Sequence, residues 1–260
     1  MIQLSKIGYD HLDRNWNNQD YSYYDEENKV KLVMDGCGSQ EYAEVGNRLL
    51  VQYYKSFVPA ISEVEENFPV IMEIIFEQLI RMLKLMQPIN VDEMLVRNLS
   101  FTILASIEKE DKFVVYTCGD GYILLKTADG NIKILSTGEV TVEEGCEYPK
   151  YFVYRYLEHK ENLKYYSEDV SFTRWEFSKT QFQNVGVATD GLRFYTELST
   201  QEQQDFIQLL AEGETGPVAR SVRKYNDMWR NIHAVSPEDG KIPKPKRAKR
   251  IFKDDITIIL

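Results

Sequence analysis

Three times in this chain of 260 residues an apolar run meets an aspartate with a glycine beside it. The stretches are "KLVMDGCGSQ" from Lys31 to Gln40, with Asp35 and Gly36; "FVVYTCGDGYILL" from Phe113 to Leu125, with Asp120; and "NVGVATDGLRF" from Asn184 to Phe194, with Asp190. The chain closes on "IFKDDITIIL", where Asp254 and Asp255 stand before an apolar run instead of after one. Taken singly, Asp-Gly after a β run is a hairpin signal. Several acids at the corners of strands suggest a different use. Hard cations such as Mg²⁺ and Mn²⁺ take carboxylate, carbonyl and water oxygens. Aspartate is short, so its carboxylate follows the backbone closely, and an adjacent glycine lets a metal or substrate approach the main chain. Two ions so held clamp a phosphate and bring a bridging water toward neutral pKa, a nucleophile that needs no Ser, Cys or His. Phosphoryl transfer, dominated by positioning and charge neutralisation, suits such a site.

Competing machineries are missing from the sequence. It contains no G-x-x-x-x-G-K-[ST], no H-E-x-x-H and no G-x-S-x-G. Cys37 and Cys118 lack the arginine and main-chain donors that would cradle a catalytic thiolate. Three cysteines, Cys37, Cys118 and Cys146, are an odd number at wide spacings, which suggests reduced thiols and neither a disulfide framework nor a zinc cluster. A net charge of −10 argues against nucleic acid, whose binding rests on Lys and Arg. The basic run "KIPKPKRAKR", Lys241 to Arg250, reads as a solvated loop into the last strand, or as a contact for a phosphorylated partner or an acidic surface. No apolar run reaches the ~20 residues of a membrane helix, and the N-terminus lacks the blocks of a signal peptide. The expectation is a cytoplasmic protein with no membrane contact.

The elements that must position these acids can be read from periodicity. "YSYYD", the turn "EENK" and "VKLVM" read as strand, turn and strand. Glu41 to Phe57 reads as a helix with Ala43, Val45, Leu49, Leu50 and Tyr53 on one face. After Pro69 a second helix carries Ile71, Ile74, Ile75, Leu79, Met82 and Met86, and Pro88 ends it. From Phe101 to Leu135 apolar runs alternate with turns as in an antiparallel meander, with Asp129 and Gly130 at a hairpin tip. Glu139 to Trp175 shows no clear period. Ser199 and Thr200 are candidate caps of a further helix, and another spans Pro217 to about Arg230. No repeat or linker divides the chain, so residues 1–260 are expected to form a single domain. Strands, two long helices, many strands, then helices and a last strand is not the alternation of a βαβ protein. An α+β sandwich, with helices packed on antiparallel sheets, fits the order.

Taken in order, the motifs resemble the metal-dependent protein phosphatases of the PP2C type. "GYDHLDRNWNNQDYSY" resembles the opening motif, with Asp20 in the place of the acid that approaches the metals through water. "VMDGCGSQEYAEVG" resembles the core motif, in which Asp35 would bridge two metals and the Gly36 carbonyl would bind one. "CGDGYILL" is similar to the central motif, carrying Asp120, and "VATDGL" and "DDITIIL" to the last two, with Asp190 and Asp254. The resemblance runs from about Gly8 to Leu260. It implies a four-layer α/β/β/α sandwich, two Mg²⁺ or Mn²⁺ ions, and hydrolysis of phosphoserine or phosphothreonine in proteins by a metal-bridging water. A phosphorylated protein substrate, a cognate Ser/Thr kinase and a monomeric state go with it.

Four departures qualify the resemblance. The usual acid-Asn pair of the last motif is Asp254-Asp255, so either acid could be the ligand, and alignment selects Asp254. Phe194 replaces a frequent acid four residues after Asp190, which weakens a third metal site built from Asp120 and Asp190. Arg14, the candidate phosphate-binding residue, is one residue off the expected spacing. His11, in the pattern G-x-x-H, resembles a divergent bacterial-like branch and would join Asp35 as a catalytic residue near the phosphate. Two other readings share these motifs: an inactive module of the same fold that binds phosphorylated partners, and a hydrolase of small phosphorylated metabolites. Specificity would lie in loops such as Glu139 to Tyr166 and Glu212 to Lys253.

Overall fold

Alternation within the strands decides which way each sheet faces. In β3 (Val30–Gly36), Val30, Leu32 and Met34 join one apolar cluster while Val33 joins another. Successive side chains of a strand point to opposite faces, so β3 is buried on both. The computed structural model describes residues 1–40, 42–58, 64–86, 90–138, 140–143, 146–158, 170–226 and 250–260.

Sheet one has the order β10 (Thr173–Ser178), β5 (Lys112–Cys118), β4 (Phe101–Glu108), β3, β2 (Tyr21–Asp25). Sheet two has β1 (Gln3–Lys6), β12 (Ile256–Ile259), β11 (Phe182–Ala188), β6 (Tyr122–Thr127), β7 (Ile132–Ser136). Every pairing is antiparallel. Val33, Leu104, Val115, Ile123, Val187 and Ile259 fill the space between the sheets. The outer face of sheet one packs under α2 (Ala43–Phe57), α3 (Val64–Met86) and α4 (Val91–Leu99). That of sheet two packs under α5 (Thr200–Glu212) and α6 (Thr215–Asn226). The expected four-layer α/β/β/α sandwich is the observed fold. A short helix, α1 (Tyr9–Arg14), follows β1, and β8 (Val140–Glu143) pairs with β9 (Cys146–Pro149) as a separate hairpin.

Local signals explain several boundaries and miss others. Ser199 caps α5 in a reciprocal box with Glu202, and Gly213 closes the helix with φ 78°, as Ser-x-x-Glu and a terminal Gly require. The turn at Asp129 and Gly130 is also as read, with Gly130 at φ 86°. α2 is rotated from the expected stripe: Gly46, Asn47, Val51 and Tyr54 face inward and Val45 is exposed. The cause is close packing, because the α2 backbone at Gly46 lies against the Asn98 carbonyl at the end of α4. α3 includes Pro69 and starts before it, and Phe68 and Phe76 supply much of its buried face while Ile74 and Met86 are exposed. α4 was not anticipated; at nine residues it is too short for periodicity to separate from its neighbours. Pro88 lies outside the described residues, as do Lys241 to Lys249 of the basic run and parts of the two loops expected to carry specificity.

Candidate active site

Period two sends Lys31, Val33 and Asp35 to the same face of β3, the one between the sheets. Asp35 sits next to the end of the strand, opposite Thr102 of β4, with Gly36 opposite Phe101. It therefore stands where the sandwich opens. Asp20, just before β2, reaches the same end from the neighbouring strand, and its Oδ2 accepts a hydrogen bond of 2.7 Å from the Thr189 hydroxyl. Thr189 is itself fixed to β12, its N–H donating to the Thr257 carbonyl and its Oγ1 accepting from the Thr257 N–H, each at 3.0 Å. The chain then turns at Asp190 into a 3₁₀ segment, Asp190–Glu197. A Cβ on Gly191 would stand 1.8 Å from the Asp255 carbonyl oxygen, so only glycine allows this turn to lie against the Asp254-Asp255 corner.

These elements bring Asp35, Gly36, Asp120, Asp190 and Asp254 around one cleft of about 90 Å³, with Tyr151 and Thr102 in its wall. Behind it, Asp20 is buried. The charges are not balanced. Burial, then the nearby Asp20, Asp190 and Asp254, push the Asp35 carboxyl well above its ordinary pKa. Burial and the charge of Asp255 do the same to Asp20, against the opposing Thr189 bond. Burial and Asp190 raise Asp254. Asp35 faces both Asp20 and Asp190, and each neighbouring carboxylate disfavours the charged form of Asp35. Arg193 pairs with Asp190 at 3.1 Å. Asp20 Oδ1 is buried without a partner, as is the Thr102 hydroxyl oxygen.

Among the described residues no three His, Cys, Asp or Glu side chains are already drawn together as a metal-ligand group. The chemistry of the donors fits hard divalent cations nonetheless: they are oxygens, neighbouring acids raise the pKa of Asp20, Asp35 and Asp254, and Asp20 Oδ1 has no hydrogen-bond partner.

Asp255 has a different role from its neighbour. It is buried, and its carboxylate accepts from the Gly8 N–H at 2.7 Å, the Gln19 N–H at 2.7 Å and His11 Nδ1 at 2.9 Å. Three donors use it up as a tie between α1, the approach to β2 and β12. Asp254 is the acid of the pair that lines the cleft. His11 is buried too, and the Asp255 bond raises its pKa against the opposing effect of burial. With Nδ1 donating to Asp255, Nε2 is left for a basin of about 380 Å³ lined by His11, Arg14, Lys253 and Asp254. Arg14 belongs to that basin and not to the cleft; it pairs with Asp10 at 3.1 Å and lies 4.9 Å from the centre of the Trp16 ring. Phe194 packs on the α5–α6 side of sheet two, so no side chain from that position reaches the cleft.

The family model described as protein phosphatase 2C matches residues 7–226. The chain belongs to the protein phosphatase 2C family. Solved structures of similar fold include the serine/threonine phosphatase Stp1 from Staphylococcus aureus, 14% identical, with 98% of this chain and 91% of that chain covered and a TM-score of 0.58. PppA of Pseudomonas aeruginosa is 12% identical, with 99% and 94% covered and a TM-score of 0.58. The catalytic domain of PstP, in complex with two manganese ions, is 13% identical, with 98% and 94% covered and a TM-score of 0.58. A comparison with curated proteins found no match. Within this phosphatase 2C chain, Thr189 and the anchoring role of Asp255 were not singled out beforehand. Thr189 could have been, as a hydroxyl ending an apolar run next to Asp190; the role of Asp255 has no signal in sequence.

Proposed function

We propose that the chain is a Mg²⁺- or Mn²⁺-dependent phosphatase that hydrolyses phosphoserine or phosphothreonine in proteins. The observation that carries this is a cluster of acids at the open end of the sandwich of a phosphatase 2C chain, in which the carboxyls of Asp20, Asp35 and Asp254 are pushed up by burial and by neighbouring acids. Two such ions would supply charge neutralisation for the phosphate and a water of lowered pKa. Asp35 would be shared between them, with Asp190 and Asp254 on one and the Gly36 carbonyl and, through water, Asp20 on the other. Asp120 and Asp190 are the residues available to a third ion.

The remaining work falls to the chain itself. His11, held by Asp255, would keep a proton at Nε2 beside Asp254, ready for the departing serine or threonine oxygen. Arg14, on the same basin, would bind a phosphate oxygen. Thr189 would hold the Asp20 carboxylate in one orientation. Residues 1–260 would act as one monomeric, cytoplasmic domain opposing a Ser/Thr kinase. Among the described residues no helix is long and apolar enough to cross a membrane.

Phosphate release from a panel of phosphopeptides, with p-nitrophenyl phosphate alongside and manganese added or chelated, tests the proposal. Manganese-dependent turnover of peptides is expected. Turnover of the small ester alone would favour a metabolite phosphohydrolase, and no calorimetric binding at millimolar manganese would favour an inactive module.

A further inference from the structure

Beyond the basin under His11 lies a second hollow, a groove of about 450 Å³. Trp16, Gly38 and Ser39 line both, and Gly38 and Asp254 join the basin to the acid cleft, so the three form one continuous path. A Cβ on residue 38 would stand 3.6 Å from His11 Nε2 and 3.8 Å from Gln19 Oε1; the glycine keeps the passage between them clear.

Two acceptor oxygens of residues that line the groove have no donor. Gln19 is only 5% exposed, and its side-chain orientation is fixed because Nε2 donates to the Gln40 carbonyl at 2.9 Å. Its main chain is fixed as well, the N–H donating to Asp255 and the carbonyl accepting from Asn47 Nδ2, both at 2.7 Å. Gln19 Oε1 is left buried with no donor. On the same groove Glu44 Oε1 accepts from Asn17 Nδ2 at 3.3 Å, while Oε2 is also buried with no donor. Glu44 is the one ionisable side chain among the described residues that line it. A buried acceptor without a donor costs stability. The group that best satisfies a carboxylate and an amide oxygen together is a guanidinium, with five donors in a fixed fork, or an ammonium with three. Trp16, 42% exposed, stands on the rim, where its ring carries Arg14.

Resting on the phosphatase reading of the acid cleft, we propose that this groove receives an Arg or Lys side chain of the substrate, close in sequence to the phosphorylated residue. The enzyme would then select phosphopeptides with a basic flanking residue. A residue of extended chain spans about 3.3–3.6 Å, so the groove next to the basin corresponds to a position a few residues away.

The test uses fluorescein-labelled peptides with a central phosphothreonine and alanine flanks, in which a single arginine is moved through each flanking position. Anisotropy titrations are run in chelator, so that nothing turns over, and phosphate release is then read with manganese. Arginine at one or two positions should tighten binding about tenfold over the all-alanine peptide. The ratio should fall to about one in Glu44→Gln and in Gln19→Leu, and persist in Glu77→Gln, which removes the same charge from a distant helix. Equal affinity for arginine and alanine at every position would overturn the proposal, as would an undiminished arginine preference in Glu44→Gln. The two readings fail separately. An arginine preference in binding without manganese-dependent release would sustain the groove and sink the phosphatase; release without preference would do the reverse.

Discussion

Lys31 and Asp35 lie on the same face of one strand, both pointing between the sheets, and their surroundings are opposites. At the Lys31 end the ammonium donates to the Asn184 side chain and, at 2.9 Å, to the Val185 carbonyl, which also accepts from the Ser106 hydroxyl at 2.9 Å. Close by in sequence, the buried Asp25 accepts from the Asn28 N–H, the Asn28 amide and the Tyr54 hydroxyl at 3.1, 2.9 and 3.3 Å. At the Asp35 end, acid faces acid, the carboxyls of Asp20 and Asp35 are pushed well above their ordinary pKa, and Asp20 Oδ1 has no partner. One fold thus satisfies buried polar groups at one end and leaves them unsatisfied at the other. Unsatisfied buried groups cost stability, so a cluster of them fits a site completed from outside.

The largest effect that could break this contrast is expected from Asp35→Asn. On the proposed reading, in which Asp35 would be shared between two ions, the change should lower manganese-dependent phosphate release by about 10²-fold or more, since a metal contributes several kcal/mol to such a transition state. The same change removes a like charge from the cluster, so in chelator the variant should melt higher than the wild type, by about 2–4 °C for each kcal/mol of relief. A lower melting temperature would mean that the acids support the fold, and the contrast would fail.

Adjacent acids in the last motif sharpen the point with a smaller effect. Asp255→Asn places an amide where three donors converge and should cost about 2 kcal/mol in urea unfolding. Asp254→Asn should cost nothing or add stability, while losing phosphate release. Equal losses of stability from the two substitutions would remove the distinction between a tie and a ligand.

The four layers could be read from the sequence because most of their elements carry their own signal: period two in the strands, a stripe in the long helices, Ser199 at the start of α5; the short α4 carries none. The rotation of α2 could not, because it is set by the contact of Gly46 with Asn98, far along the chain. At the site, Asp35 and Asp190 stand out by their place at strand ends, as Asp-Gly pairs. That Asp254 lines the cleft and Asp255 ties three segments together depends on donors from Gly8, His11 and Gln19. Such a division of labour between neighbours is a property of the folded chain. The sequence pattern "DD" is symmetric with respect to it.

The smallest effect tests the satisfied end. Burial pushes the Lys31 pKa down to about 8, from 10.5, although the ammonium keeps its hydrogen bonds. Below about pH 8 both folded and unfolded chains hold the proton, and the folded state bears the full cost of burying it. Between about pH 8 and 10.5 the unfolded chain binds a proton that the folded chain has lost, so this group adds stability as pH rises. Lys31→Met keeps the stem and removes the titration. The stability difference between wild type and Lys31→Met, from urea unfolding at pH 7 and pH 9.5, should therefore move in favour of the wild type by on the order of 2 kcal/mol. At pH 7 the variant leaves the Asn184 side-chain oxygen without its lysine donor, which offsets the relief from a buried charge; the slope with pH, and not the offset, carries the test. Parallel pH curves would mean that water reaches Lys31 freely, and that the inner face of β3 is open at both ends.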